Sequence, residues 1–316
     1  MQMACKKRPD PAKSRQPGAG NTRLRPRAGW RAACWSTLLI GIATATVASA
    51  GEGPYFVTYS QQMEEPGNLE VTSKSVIGRP QGGNRFLGTA VEFEYGLKGW
   101  WTMELYVDGQ STANESTFLT GYRWENRFRL LAREHWINPV LYVEYEHLNG
   151  ADRALLEVVG HDGQADLAES VADGREQHAH ELETKLILGS NFKGWNVSEN
   201  FIVEKNLTHA PYEFGYAVAT SRPLALAARA ERCTFCPERI RVGVEVYGGL
   251  GTSDGFGWRD TSHYIAPTVS MEVGNGTTLM FSPGFGLTGS SAPFLLRFGV
   301  SYEIAQLGRA ASRLWR

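Results

Sequence analysis

Large apolar side chains occupy every second position in many stretches of the chain after residue 50. In one of these stretches Met103, Leu105 and Val107 alternate with the acidic residues Glu104 and Asp108. Successive side chains of a β-strand point to opposite faces of a sheet, so each stretch predicts a strand with one apolar and one polar face. The predicted strands are about 9–11 residues long, which is the length that a tilted crossing of a bilayer requires.

Alternation and turn residues together delimit twelve predicted strands. They span residues 68–77, 86–97, 100–109, 116–125, 139–147, 180–189, 195–205, 212–221, 238–248, 263–273, 277–287 and 293–304. Pro267 and Pro283 lie within two of them, and proline cannot donate to a strand ladder, so we accept between ten and fourteen strands. The fifth connection, residues 148–179, contains 32 residues, whereas the second, sixth and tenth are short turns.

An even number of strands joined by short turns at one end and longer loops at the other is typical of bacterial transmembrane barrels. Aromatic residues such as Trp101, Trp124 and Trp195 lie near the predicted strand ends, as they do in interfacial girdles. We therefore predict an all-β fold, a transmembrane antiparallel up-and-down β-barrel of about 12 strands that follows a cleaved signal peptide. The alternative is a secreted β-sandwich, whose strands also alternate between two faces.

The N-terminal region has the three-part organisation of a secretory signal peptide. Residues 1–31 carry nine Lys or Arg residues and one acid, Asp10, and an apolar run follows over residues 32–47. The small residues Ala48, Ser49 and Ala50 then offer a cleavage site. An uncleaved membrane anchor is the alternative. The predicted organisation is a signal peptide, 1–50, a periplasmic segment, 51–67, the barrel, 68–304, with its extracellular loop, 148–179, and a C-terminal tail, 305–316.

Removal of the signal peptide changes the charge of the chain. The whole sequence has 32 basic and 33 acidic residues, and the region that is removed holds nine bases and one acid. The remaining 23 bases and 32 acids give a net charge near −9. Nucleic acid requires basic patches, so no nucleic-acid partner is expected.

The chain resembles the outer-membrane β-barrel proteins of Gram-negative bacteria. It is also loosely similar to the transporter-like barrels of the phenol-degradation MetA-pathway family, through the alternating stretches Ala90–Gly96 and Tyr142–Glu146. The last predicted strand, Phe294–Ile304, resembles the closing strand that the barrel-assembly machinery recognises, although a tail follows it here. The resemblance implies an outer-membrane location. It also implies outer-membrane lipid and lipopolysaccharide, the assembly machinery and small solutes as partners.

The polar positions of the alternating strands predict the wall of a lumen. The charged members are Glu92, Glu94, Glu104, Asp108, Arg123, Glu125, Glu144, Glu146, Glu181, Glu183, Lys185, Arg239, Arg241, Glu245, Glu272, Arg297 and Glu303. Twelve of these are acidic and five are basic. Acids and bases could pair across the wall and close the lumen, or the acidic surplus could attract cations and repel anions.

The predicted function is a narrow channel or transporter for small solutes, with a preference for cations. Twelve strands lie between filled eight-stranded barrels and open sixteen-stranded porins in diameter. A non-conducting structural or adhesive barrel is the first alternative, and an outer-membrane hydrolase with a site at the extracellular rim is the second. No Gly-x-Ser-x-Gly motif occurs in the sequence, and neither enzymatic activity nor a cofactor is predicted.

Two further motifs carry chemistry. Cys233 and Cys236 lack the βαβ setting of a thioredoxin-like site, and Pro237 stands where haem attachment requires histidine. We predict a local disulfide between them. His178 and His180 place two imidazoles on one face of a strand, which makes them a weak candidate for a metal site.

Overall fold

The computed structural model describes residues 53–154, 167, 169–208, 210–227, 235–274 and 276–314. Residues 1–50, for which a signal peptide is predicted, and Cys233 lie outside the described residues. The strands are β1 (Leu69–Gly78), β2 (Phe86–Lys98), β3 (Trp101–Thr112), β4 (Thr117–Arg129), β5 (Asn138–Asn149), β6 (His178–Phe192), β7 (Trp195–Asn206), β8 (Tyr212–Pro223), β9 (Ile240–Thr252), β10 (Gly255–Phe256), β11 (His263–Gly274), β12 (Thr277–Gly286) and β13 (Phe294–Ile304). Short helices span Val171–Gly174 and Leu307–Leu314, and a 3-10 turn spans Pro237–Arg239. Within the described ranges, no helix is long and apolar enough to cross a bilayer.

The strands form one closed antiparallel sheet. Each long strand pairs with its neighbour in sequence, and β13 closes the cylinder on β1 through a register that runs from Leu69 opposite Ile304 to Gly78 opposite Leu295. The two-residue strand β10 pairs only with the end of β9, so the barrel itself has twelve strands. The predicted all-β up-and-down barrel is confirmed, and the two packed sheets of a β-sandwich are absent from the described chain.

The distribution of apolar and polar side chains over the two faces of the wall is the reverse of that in a soluble protein. Leu105 on the outer face of β3 is 43% exposed, whereas the adjacent Glu104 on the inner face is 0% exposed. The same alternation, with apolar side chains outside and polar side chains inside, recurs around the cylinder. Trp100, Trp101 and Phe128 stack at one rim, with ring centroids 5.9–6.4 Å apart. An apolar outer band bordered by aromatic residues is the surface that a bacterial outer-membrane barrel presents to lipid, and this places the chain in that membrane.

Connection lengths distinguish the two ends of the barrel. Lys193 and Gly194 join β6 to β7 with φ values of 49° and 84°, which is the positive-φ pair of a tight type I′ hairpin turn. The β2–β3 and β11–β12 connections at the same end are equally short. We call this the short-turn end, which faces the periplasm in such barrels. The long connection between β5 and β6 lies at the opposite end.

The two strand prolines lie opposite each other. Ile265 pairs with Phe285 on one side of the prolines, and Val269 pairs with Phe281 on the other side. No residues of the two strands pair between these two positions. On their other sides the prolines keep their partners, since Pro267 pairs with Val244 and Pro283 with Leu296. The two missing N–H donors therefore fall at one place in one ladder. For this reason both strands persist through their prolines.

Most predicted strand ends differ from the structure by one to four residues, and two of these differences change which charged residues belong to the wall. The fourth strand continues to Arg129 rather than ending at residue 125. The ninth begins at Ile240 rather than 238, because Pro237 starts a 3-10 turn in which the chain has not yet joined the ladder.

Candidate functional site: the lumen and its N-terminal plug

The structure places most of the predicted lumen residues on the inner face. Twelve are buried there: Glu92, Glu94, Glu104, Asp108, Arg123, Glu125, Glu144, Glu146, Glu183, Lys185, Glu245 and Arg297. Four lie on the same face and are half-buried: Glu181, Arg241, Glu272 and Glu303. Arg239 is exposed and precedes β9, because Pro237 starts a 3-10 turn before the strand begins. Its assignment to the wall is therefore wrong.

Six further charged residues of the inner face were not assigned to the wall from the sequence. They are Glu70, Lys74, Arg127, Arg129, Glu204 and Glu213. Arg127 and Arg129 lie beyond the predicted end of their strand at residue 125, and extending the alternation from Arg123 and Glu125 would have found both. With these corrections the wall carries fifteen acidic and seven basic side chains.

Arg127 organises one group of wall carboxylates, which we call the Arg127 cluster (Glu94, Glu104, Glu125 and Arg127). The guanidinium is ion-paired with Glu94 and Glu104, and its Nε lies 3.3 Å from Glu125 Oε1. The hydroxyl of Tyr106 lies 2.6 Å from Glu104 Oε2. One buried cation thus serves three carboxylates from three adjacent strands.

A second group lies on β5 and β6 and consists of Glu144, Glu146 and Glu183, which we call the Glu146 cluster. One carboxylate oxygen from each of these residues lies within 4.8 Å of the other two. Arg123 pairs with Glu144 at 3.1 Å, and Lys185 pairs with Glu183 at 2.7 Å. No hydrogen bond or ion pair reaches Oε1 of Glu146 from the described residues.

Residues 53–68, which we call the plug, run along the inside of the barrel. This is the segment expected in the periplasm, but the structure buries Tyr55, Thr58, Gln61 and Glu64 against the lumen wall. The plug is continuous with β1 at the short-turn end, where Asn68 Nδ2 donates to Glu303 Oε1 at 2.6 Å.

The Tyr55 side chain of the plug reaches towards the short-turn end. The Tyr55 hydroxyl lies 3.0 Å from Asn196 Oδ1 and 2.9 Å from Ser221 Oγ. Asn196 is the second residue of β7 and Ser221 is close to the end of β8, so both belong to the short-turn end. Both ends of the described plug are therefore anchored to wall residues at this end of the barrel.

Polar wall side chains hold the backbone of the plug. The carboxylate of Glu245 accepts hydrogen bonds from three consecutive N–H groups, those of Phe56, Val57 and Thr58, at 2.8–2.9 Å. The amide of Asn200 accepts from the N–H of Tyr59 at 2.7 Å and donates to its carbonyl at 2.9 Å. Because buried backbone groups need partners, these side chains replace the strand or helix that the plug does not form.

Tyr59 is the plug residue that connects the two carboxylate groups. Its hydroxyl donates to Glu125 Oε2 at 2.9 Å and lies 3.0 Å from the hydroxyl of Tyr106. Its ring meets the ring of Tyr142 edge-on at 4.9 Å, and Lys185 Nζ lies 4.6 Å from its centroid. A cation over an aromatic face is attracted by the ring quadrupole, so this contact adds to the hydrogen bond.

Glu64 is a buried carboxyl group of the plug whose pKa is strongly perturbed. Burial, reinforced by the negative charges of Glu303 and Glu70, raises the pKa of Glu64 from its ordinary value of 4.5 to about 8. A docked plug therefore favours the protonated carboxyl group.

The long β5–β6 connection narrows the lumen from the opposite end. Its residues Ala151, Arg153 and Val171 are buried, and Thr120 Oγ1 on the wall donates to Asp152 at 2.5 Å. A Cβ at Gly88 would lie 2.5 Å from the backbone of Arg153, so only glycine permits this approach. Between the described parts of this loop and the plug remains a cavity of about 70 Å³.

The remaining candidate motifs lie away from the lumen. Cys236 is disulfide-bonded, while Cys233 lies outside the described residues. His178 and His180 stack against the ring of His147, with centroids 6.0 and 4.5 Å apart, at the long-loop rim. In the described chain the groups whose ligand atoms converge as a metal requires are glutamates, and these histidines are not among them.

No family model and no curated protein matches this chain, so the similarity to the phenol-degradation family stays an expectation. Solved structures with a similar fold include the KdgM porin, with 9% identity, a TM-score of 0.46, and coverage of 74% of this chain and 98% of that one. An outer-membrane channel from Pseudomonas putida F1 has 10% identity, a TM-score of 0.46, and coverage of 76% and 97%. The NanC porin has 9% identity, a TM-score of 0.42, and coverage of 75% and 100%. At such identities the likeness concerns the fold alone.

Proposed function

We propose that the barrel is a narrow outer-membrane channel for small solutes, and that it conducts when the plug leaves the lumen. The observation that carries the proposal is the way in which the plug is held. Its backbone forms no strand or helix and is bound by wall groups such as Glu245 and Asn200. Water can replace each of these hydrogen bonds at little net cost, which a close-packed apolar core would not allow.

The charge of the wall supports a preference for cations in the conducting state. Fifteen acids face seven bases, and the bases Lys74, Arg123, Arg127 and Lys185 are already ion-paired with wall carboxylates. An open lumen would therefore present a net negative surface, which attracts cations and repels anions. The preference should weaken as salt rises, because the Debye length falls from ~10 Å at 0.1 M to ~3 Å at 1 M.

Conductance in planar bilayers tests the proposal. A variant lacking residues 53–65 should conduct far more than the full mature chain and should show a cation-selective reversal potential in dilute KCl. Asn200→Ala should raise the open fraction of the full chain, because Asn200 binds both backbone groups of Tyr59. Gln110→Ala is the control, since Gln110 is also a buried inner-face amide and its side chain donates to Thr112 rather than to the plug.

The alternative that the same experiment addresses is a non-conducting structural barrel. In that case the plug is a permanent part of the core. Its removal should then leave the conductance at background or unfold the barrel. Heat-modifiable migration on gels shows whether the truncated barrel has folded, so that a misfolded variant is not mistaken for a closed one.

A further inference from the structure

We propose that the Glu146 cluster is a binding site for one divalent cation of the calcium type. The proposal concerns the resting barrel and does not depend on whether the lumen conducts. It rests on the spacing of three carboxylates, on the charge around them, and on the unpartnered oxygen of Glu146.

The spacing of the ligands fits a calcium ion. Glu144 and Glu183 are directly opposite each other on β5 and β6, and Glu146 is the next inward residue on β5. One carboxylate oxygen from each of the three residues lies within 4.8 Å of the other two. Calcium takes oxygen ligands at about 2.3–2.6 Å, so two ligands on opposite sides of one ion are up to roughly 5 Å apart. Three carboxylates from two rigid strands could therefore contact one ion without movement of the backbone.

The charge around Glu146 is not balanced by the protein. The charged groups that act most strongly on Glu146 are the acids Glu144, Glu204 and Glu183 and the base Arg123. Arg123 is already engaged by Asp108 at 2.7 Å and by Glu144 at 3.1 Å. An ionised carboxylate that is 1% exposed requires a compensating charge, because burial without one is very costly.

Oε1 of Glu146 provides the independent observation. This atom is buried and has no hydrogen-bond partner in the part of the chain that the structure describes. One carboxylate oxygen of Glu146 converges with one oxygen each of Glu144 and Glu183.

A comparison with the other convergent carboxylates shows why the Glu146 cluster is the better candidate. Glu92, Glu94 and Glu104 also bring their oxygens within 4.8 Å of one another. There, however, Lys74 lies 3.0 Å from Glu92, and Arg127 is ion-paired with both Glu94 and Glu104. Protein cations occupy the position that a metal would take. In the Glu146 cluster Arg123 pairs with Glu144 and Lys185 pairs with Glu183, but among the described residues no cation pairs with Glu146 itself.

The test uses the full mature chain, refolded in detergent free of lipopolysaccharide and stripped of metal with a chelator. Titration with CaCl₂ in a calorimeter should give one site for the wild type, and calcium should raise its unfolding temperature. Tb³⁺ provides a second readout, because Tyr142 donates a hydrogen bond to Glu144 and can sensitise a bound lanthanide. Glu146→Gln should weaken calcium affinity at least tenfold while the barrel stays folded and heat-modifiable.

Glu272→Gln is the matched control, since Glu272 is an inner-face carboxylate on β11 and lies outside the cluster. It should leave calcium affinity unchanged. The proposal fails if the wild type binds no calcium, or if Glu146→Gln binds it as tightly as the wild type does. Either result would mean that a proton, and not a calcium ion, neutralises Glu146. Should Glu146→Gln not fold, Glu146→Asp, which keeps the charge and shortens the side chain, should still give a measurable loss of affinity.

Discussion

Glu104 and Leu105 are consecutive residues of β3, and they experience opposite constraints. Leu105 faces outward and is 43% exposed, so the lipid around it accepts any apolar side chain. Glu104 faces inward, is ion-paired with Arg127 and lies 2.6 Å from the hydroxyl of Tyr106. The outer face therefore requires only that its side chains be apolar, whereas a charged side chain of the inner face requires particular ion-pair and hydrogen-bond partners. Substitutions should follow the same division.

The largest effect is expected from Arg127→Ala. This change leaves the carboxylates of Glu94, Glu104 and Glu125 buried without their shared cation. Removing one partner of a buried ion pair costs about 3–5 kcal/mol in the free energy of unfolding. Urea unfolding in lipid vesicles, followed by tryptophan fluorescence, measures the loss.

Arg297→Ala is the control for Arg127→Ala, since Arg297 is also buried and its recorded hydrogen bond goes to the neutral hydroxyl of Tyr247. It should cost clearly less. Equal losses for the two arginines would mean that deleting a long side chain, rather than orphaning carboxylates, dominates the effect.

A somewhat smaller effect is expected on the outer face from Leu105→Arg. Placing a cation against lipid near the bilayer midplane costs about 2–4 kcal/mol. Leu105→Ile keeps the apolar class and should change the free energy of unfolding by less than about 1.5 kcal/mol. Val244→Arg on β9 extends the test to another outer position.

The inner neighbour of Leu105 completes this comparison. Glu104→Gln should fold, because Arg127 keeps Glu94 and Glu125 as partners. A pair of results in which Glu104→Gln unfolds the barrel and Leu105→Arg does not would contradict the assignment of the two faces.

The same division explains what could be predicted from the sequence. The apolar band repeats with period two over every strand, so the strands and their faces were found locally. Arg127 escaped because its strand continued beyond the predicted end, and Arg239 was wrongly assigned because Pro237 delays the next strand. Both errors concern strand ends, where alternation is too short to fix a boundary.

The plug could not be predicted in the same way. Residues 53–68 have no period that marks them as lumen-bound, and their partners Asn200 and Glu245 lie 141 and 187–189 positions further along the chain. Nothing local to the segment encodes these hydrogen bonds. The pairing of acids with bases across strands is equally non-local, because it depends on the register of neighbouring strands.

The smallest expected effect concerns pH. It applies to the plug the conclusion drawn for the inner face, that a buried charged group depends on its particular surroundings. Docking raises the pKa of Glu64 from 4.5 to about 8, so a proton stabilises the docked state. That stabilisation is complete below pH 4.5 and is lost as the pH rises through about 8. The open fraction of the channel in planar bilayers should therefore rise between these values. Glu64→Gln, which stays neutral, should flatten this part of the profile, whereas an unchanged pH dependence in the variant would assign the effect to another group.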